Sequence, residues 1–419
     1  MGKTLAEKII SAHAGYDVMA GELAIVDVDA VMATDTTGPM AIQAFRELGG
    51  KDLWDKERVS LILDHATPAP NERISNLHKM IRDFAEEMGC HFYDVGEGIC
   101  HQLMIENAHV KPGDLFLGAD SHTPSYGALN AFAIGVGSTD LAAVMLTGKT
   151  WLKVPQSIRI ELDGDLAKGI SAKDLILFIV RELGVAGANY MSIEFTGEAI
   201  EQFSLASRIV LSNMAAEMGA KAGLVDAKGL DLWYAWEGVY ADTDADYYKR
   251  YRFDVSQLKP QIALPHSLSN VHDIDRALGI KIQQAFIGSC TNARLEDLQV
   301  AAKILKGKKI AKGVRMLIAP ASRKVFNDAL ADGTIQILSN AGATILNSGC
   351  GPCVGTLGGI PADDEVVISS TNRNFRGRMG NPNAEIYLGS PAVVAAAALT
   401  GEITNPADVL APEERWELS

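Results

Sequence analysis

Three cysteines carry the most specific chemistry in this sequence. Two lie three positions apart in Asn347-Ser348-Gly349-Cys350-Gly351-Pro352-Cys353-Val354-Gly355, and the third is far upstream in Gly288-Ser289-Cys290-Thr291-Asn292. Gly351 and Pro352 make a tight loop from which both sulfurs can turn inward, and a distant third thiolate can complete a pyramid around a metal cluster. Three ligands instead of four leave one metal position open. Spacing alone also admits a structural zinc half-site or a redox pair. A zinc finger would bring a second pair at short spacing, and a radical-type iron-sulfur loop would gather its cysteines within about ten residues. Neither pattern is present.

Around these cysteines stand groups suited to moving protons and holding anions. His65 follows Asp64, His122 lies two residues after Asp120, and His101 adjoins Cys100, in a chain with 9 histidines. Imidazoles with acidic neighbours point to proton transfer. Arg373 and Arg378, set among glycine and asparagine, suit bidentate recognition of carboxylates. The implied substrate is a small polycarboxylate.

The elements that must position these residues share one rhythm, a strand followed by a chemically loaded loop. Val59 to Leu63 reads as a buried strand ending in Asp64-His65-Ala66-Thr67-Pro68; Asp114 to Ala119 reads as another, ending in Asp120-Ser121-His122-Thr123-Pro124. Gln284 to Ile287 leads to Cys290, Thr344 to Leu346 to the C-x-x-C loop, and Val366 to Ser369 to Asn372 through Arg378. In open parallel sheets, ligands bind beyond the carboxyl ends of the strands. Ile74, Leu77, Ile81, Phe84 and Met88 form one helical stripe that Gly89 stops. Gly135-Val136-Gly137-Ser138-Thr139-Asp140 lacks the third glycine of a dinucleotide loop and reads as a turn into a helix. Ser171-Ala172-Lys173-Asp174 is a capping-box pattern. Asn213 and Glu217, four apart, lie on one face of a helix expected over 206–219. The aromatic and acidic stretch 230–264 has weak periodicity and reads as an excursion over a domain surface.

Length and composition frame this reading. With 419 residues the chain suggests roughly three domains. The expected division is 1–153, with the Asp-His motifs; 154–274, with Asn213 and Glu217; and 275–419, with the cysteines and arginines. A net charge of -14, from 38 basic and 52 acidic residues, opposes nucleic acid or an anionic membrane as a general partner. Five cysteines do not make a disulfide framework, which suits a reducing cytoplasm. The N-terminus has no unbroken apolar run of a signal peptide, and the apolar tract 392–399 is far short of the roughly 20 residues that span a bilayer. Cys90 and Cys100 read as buried free thiols.

Taken in order, Asp64-His65, His101-Gln102, Asp120-Ser121-His122-Thr123, Asn213 with Glu217, Gly288 to Asn292, Gly349 to Cys353, and Asn372-Arg373-Asn374-Phe375 with Gly377-Arg378 resemble the successive motifs of the aconitase superfamily. The chain is most similar to the large subunits of its two-subunit members, the 3-isopropylmalate dehydratases and homoaconitases. The resemblance implies an α/β fold in which three domains, with parallel-rich sheets flanked by helices, surround a 4Fe-4S cluster, one per subunit. Cys290, Cys350 and Cys353 would hold it, leaving one iron free to act as a Lewis acid. It further implies that His101, oriented by Asp120, protonates the leaving hydroxyl, while His65 with Asp64 and His122 with Glu217 form further pairs. Ser121, Arg373 and Arg378 would hold carboxylates, and Asn213 and Asn292 would line the cluster.

The implied reaction is that of a hydro-lyase, isomerising a hydroxy-polycarboxylate by dehydration and rehydration. The family's base is a serine on a further, mobile domain, and this chain ends at Ser419, so a separate small subunit is expected to supply it. Pro39 stands where citrate-using relatives carry glutamine, which disfavours citrate. Conversion of 2-isopropylmalate to 3-isopropylmalate, in leucine biosynthesis, is the favoured reading; homocitrate and smaller methylated malates are the alternatives. A cluster-free RNA-binding regulator, the competing class, is opposed by the acidic charge and the lack of a basic run.

Overall fold

Apolar runs such as Val59-Ser60-Leu61-Ile62 are buried along their whole length, as parallel strands covered on both faces require. The computed structural model describes residues 2–410; the segment 411–419, which the sequence reading placed in the third domain, lies outside them. In chain order the first strands are β1 (Leu23–Asp27), β2 (Ala30–Thr34), β3 (Val59–Ile62), β4 (His91–Tyr93), β5 (Leu115–Gly118), β6 (Phe132–Gly135) and β7 (Lys149–Lys153). Strands β2 to β6 form a five-stranded parallel sheet of order β4-β3-β2-β5-β6, and β1 pairs antiparallel with β7. The helix Glu72–Met88 ends at Gly89 with φ 66°.

Next come β8 (Ser157–Asp163), β9 (Ser192–Thr196), β10 (Ala222–Val225) and β11 (Lys249–Asp254), a four-stranded parallel sheet of order β10-β9-β8-β11. The aromatic stretch therefore contributes an edge strand, β11, as well as irregular chain. The last group is β12 (Gln261–Ala263), β13 (Val271–Asp273), β14 (Gln284–Ile287), β15 (Arg315–Ile318), β16 (Thr344–Ile345), β17 (Val366–Ser369) and β18 (Glu385–Leu388). They form one sheet of order β13-β12-β18-β17-β14-β15-β16. The sheet boundary thus falls before Gln261 and not at 274: β12 and β13 pair antiparallel with each other, and β12 with β18.

Strand order decides where a ligand can sit. In the first sheet the chain runs outward from β2 through β3 and β4 in one direction and from β5 to β6 in the other. In the last sheet β14, β15 and β16 run one way and β17 and β18 the other. Each sheet therefore has a topological switch point, beside β2 and β5 in one and β14 and β17 in the other, where loops diverge and leave a crevice. The two crevices meet: the Cys350 N–H donates to the Asp64 carbonyl at 2.9 Å.

The second sheet is fastened to the first unit by a buried carboxyl. Glu194, on β9, accepts from the Leu5 and Ala6 N–H groups at 2.8 and 3.4 Å, at the start of helix Leu5–Ala14, and from the Tyr247 hydroxyl at 2.6 Å. Burial pushes its pKa up from 4.5 to about 7. Between those values the folded chain keeps a proton that the unfolded chain releases. Stability therefore falls as pH rises through that window, by about 3 kcal/mol, and is constant above it. Glu194→Gln keeps an acceptor for the helix N–H groups and loses the titration. Urea unfolding of the variant across the window is expected to show a pH dependence flatter by that amount; parallel curves for the two chains would refute the assignment.

Candidate active site

Each strand-end loop keeps its shape through identifiable bonds. Asp35, just past β2, accepts from the N–H groups of Asp64, His65 and Ala66 at 3.3, 2.9 and 2.7 Å and lies 3.3 Å from His78 Nε2. It fixes the loop after β3. The loop after β14 turns through Ser289, at φ 76°, and Arg294 then grips it, donating to the Cys290 and Thr291 carbonyls at 2.7 and 2.8 Å. The C-x-x-C loop is a short 3-10 turn over Gly351–Val354. It closes at Gly355, with φ 69°, where a Cβ would stand 2.3 Å from the Gly380 nitrogen; only glycine admits that approach.

The proton-handling residues meet at Asp120. Its Oδ1 accepts from His101 Nε2 and from the His122 N–H, both at 2.8 Å, and its Oδ2 lies 3.3 Å from His65 Nε2. Burial favours the neutral acid, but the His101 and His65 bonds outweigh it and hold Asp120 well below the usual carboxylate range. His65 Nδ1 sits 2.7 Å from Asp64 Oδ1. Burial disfavours its imidazolium, yet Asp64, Cys350 and Asp120 together raise its pKa well above the ordinary value. His122 Nε2 donates to Glu217 Oε1 at 2.8 Å. Burial and the nearby Arg373 lower the pKa of His122, while His122 and Arg373 outweigh burial to keep Glu217 ionised. The pair is therefore a neutral imidazole on a carboxylate.

His101 differs from the other two. It is 2 % exposed, and both ring nitrogens are engaged, Nε2 by Asp120 and Nδ1 by the Tyr126 hydroxyl at 3.2 Å. The His65 side chain is 13 % exposed and its Nε2 contact to Asp120 is looser. The sequence reading made His101 the donor; both rings have each nitrogen engaged, and His65 differs in its greater exposure and its looser Nε2 contact.

Arg373 bridges the sheets, with Nε on both Glu217 oxygens at 2.8 and 3.0 Å and Nη1 on Ser121 Oγ at 3.1 Å. Arg378 points Nη2 at Cys353 Sγ, 3.5 Å away, and its buried Nε has no partner among the described residues. Glu217 reaches this group from the 3-10 turn Ala216–Met218, which ends the helix Leu205–Ala215 that carries Asn213.

The three cysteines are buried free thiols. Asn213 Nδ2 donates to Cys290 Sγ at 3.1 Å and Asn372 Nδ2 approaches it at 3.6 Å. Burial, then the neighbouring Cys353, pushes the Cys290 thiol up to about 12; Cys350 is raised by burial as well. Buried thiols that repel one another's ionisation, with amide and guanidinium donors aimed at their sulfurs, need a cationic centre to become thiolates. Asn292 Oδ1 and Asn372 Oδ1 are also buried without partners among the described residues. This donor set fits an iron-sulfur cluster. Asp64, His65 and Cys350 bring ligand atoms within 4.8 Å of one another, so the imidazole and carboxylate pairs border the cysteine site. Asn292 itself donates to Asp297 at 2.9 Å.

Several contributors were missed from sequence. Asp35 follows a strand end like the residues that were found, but lacks a histidine beside it. Tyr126 and Arg294 carry no motif. Cys100 is fully buried; its N–H donates to Asp64 Oδ2 at 2.8 Å, and burial, then Asp64, raises its thiol pKa.

The model of the Aconitase family (aconitate hydratase) matches residues 7–234 and 229–401. The chain is 47% identical over 414 residues to the 3-isopropylmalate dehydratase large subunit 1 of Methanopyrus kandleri, covering 97% of this chain and 99% of that one. It is 48% identical to 3-isopropylmalate dehydratase large subunit 1 of Thermotoga maritima, covering 97% and 99%. A probable methanogen homoaconitase large subunit from Methanosarcina mazei is 47% identical, covering 91% and 99%. Among solved structures, holo aconitase X of Thermococcus kodakaraensis matches with a TM-score of 0.52 at 15% identity, covering 89% of this chain and 94% of that one, which shows the fold alone. No helix among the described residues is long and apolar enough to cross a membrane.

Proposed function

Since the chain belongs to the aconitase family, we propose that it is the catalytic large subunit of a hydro-lyase that interconverts 2- and 3-isopropylmalate. The observation that carries this reading is the buried thiol set with Asn213, Asn372 and Arg378 aimed at its sulfurs, bordered by Asp64 and His65. Cys290, Cys350 and Cys353 would hold a 4Fe-4S cluster. When bound, the cluster supplies a Lewis-acidic iron that lacks a cysteine ligand.

The chain's own residues divide the remaining work. Arg378, whose Nε has no partner among the described residues, and Arg373 with Ser121 orient the substrate carboxylates. His65, charged between Asp64 and Asp120, donates a proton to the departing hydroxyl and recovers it on rehydration; Asp120 and Asp64 hold the ring. His101, locked between Asp120 and Tyr126, keeps Asp120 in place. The neutral His122, donating from Nε2 to Glu217, accepts at Nδ1, beside Ser121 Oγ, a hydrogen bond from the released water. Asn213, Asn292 and Asn372 line the cysteine site. The base that takes the α proton is assigned to a small subunit, a partner that the relatives' name, large subunit, supports.

The test is reconstitution. The chain purified alone without oxygen is expected to be brown and iron-loaded yet inactive as a dehydratase, and a small subunit is expected to restore turnover. Full turnover by the lone chain would refute the two-chain assignment, and colourless protein holding zinc would refute the cluster. Homocitrate is the second substrate to assay in parallel, because one relative of equal identity is named a homoaconitase. Preference for homocitrate would move the chain to that branch without changing the reaction class.

A further inference from the structure

Lys173 is wholly buried on the first turn of the helix Ala172–Leu183, whose capping carboxylate Asp174 binds the Ser171 N–H and hydroxyl. A buried ammonium is costly unless hydrogen-bonded and balanced by negative charge. Its Nζ donates to the Ser370 and Thr371 carbonyls at 2.9 and 2.6 Å. These are the last carbonyls before Asn372 and Arg373, which reach Cys290 Sγ and Glu217 respectively. Ser370 also ties this turn to the cysteine loop: its hydroxyl donates to the Asn292 carbonyl at 3.2 Å and accepts from the Gly288 N–H at 3.3 Å. Burial lowers the pKa of Lys173 from 10.5 to about 7, and Cys353, Asp297, Asp174 and Cys290, when ionised, favour its ammonium through space.

One lysine thus clamps the joint between the turns after β14 and β17 and places a positive charge behind the thiol set. We propose that Lys173 is a positioning residue for the cluster site: its ammonium fixes the turn that aims Asn372 and Arg373, and its charge raises the reduction potential of the cluster held by Cys290, Cys350 and Cys353. The proposal rests on the cluster reading above. No element of the five-stranded sheet supplies this charge. It comes from the second unit, which gives that unit a part in the chemistry beyond carrying Asn213 and Glu217.

Two substitutions separate the two effects. Lys173→Gln keeps a donor for the carbonyls and removes the charge; Lys173→Met removes both. In iron-loaded complexes with the small subunit, a redox titration followed by electron paramagnetic resonance is expected to place both variants at a more negative midpoint potential than the wild type, because a lost buried cation makes reduction harder. Iron release to a chelator is expected to be about tenfold faster for Lys173→Met and close to wild type for Lys173→Gln, since only the methionine frees the turn. Wild-type potentials in folded, iron-loaded variants would overturn the proposal alone. Loss of cooperative unfolding in both variants would assign Lys173 to folding and overturn it as well. A wild type that binds no iron would overturn the cluster reading and this proposal with it.

Discussion

Cys290→Ser is expected to yield a folded chain that retains no cluster and, with its small subunit, shows no dehydratase turnover. The reasoning starts from the ligand. A serine oxygen is a harder and far more basic ligand than a thiolate, and soft thiolates are what select iron-sulfur clusters. The fold should survive, because the Asn213 amide that donates to the sulfur at 3.1 Å can donate equally to a hydroxyl, and β14 is held on both sides by parallel strands. Cys350→Ser and Cys353→Ser should behave alike, since both are buried thiols of the one C-x-x-C turn. Cys100→Ser is the control. Its thiol is buried against Asp64 in the same region, yet it belongs to no cysteine motif, so iron should be retained. Iron content and the visible absorption of anaerobic samples check all four. A cluster retained in Cys290→Ser, or lost in Cys100→Ser at unchanged stability, would reassign the ligand set.

What made this site legible was that its chemistry lies at strand ends. Asp64, His65, Asp120, His122, Cys290, Cys350 and Arg373 each follow a short apolar run, and such runs announce parallel strands through burial alone. The structure brings these residues together because two sheets turn their switch points toward one crevice. What the sequence concealed were contacts made across the fold by residues without a local pattern. Asp35 acts on backbone N–H groups about thirty positions away, Arg294 on carbonyls of the loop before it, and Tyr126 on a histidine one helix earlier. Lys173 was seen only as part of a capping box. That β12 and β13 join the last sheet was not legible, because they are three residues each, too short for a period to register, and their pairing depends on β18, more than a hundred positions later.

A pair of variants tests which imidazole is the donor. The family resemblance made His101, oriented by Asp120, the donor and paired His65 with Asp64. Both rings have each nitrogen engaged, but His101 is held by Asp120 at 2.8 Å and Tyr126 at 3.2 Å in the interior, whereas His65, on Asp64 at 2.7 Å, meets Asp120 at a looser 3.3 Å from a more open position beside Cys350. The longer His65–Asp120 contact is the easier one to exchange for a bond to substrate, and the more exposed ring is the one a substrate can reach. His65→Asn is therefore expected to lower kcat by about 10²–10⁴-fold, the usual worth of a general acid, with iron content preserved. His101→Asn should keep an amide donor for Asp120 and cost less, about tenfold or somewhat more, through a loosened Asp120. The pH profiles add a second readout. Loss of the donor should remove the alkaline limb of kcat in His65→Asn, because no imidazolium remains to be deprotonated as pH rises, while His101→Asn should keep that limb. The reverse ranking, with the limb lost only in His101→Asn, would return the donor role to His101 and leave His65 as the orienting partner of Asp64.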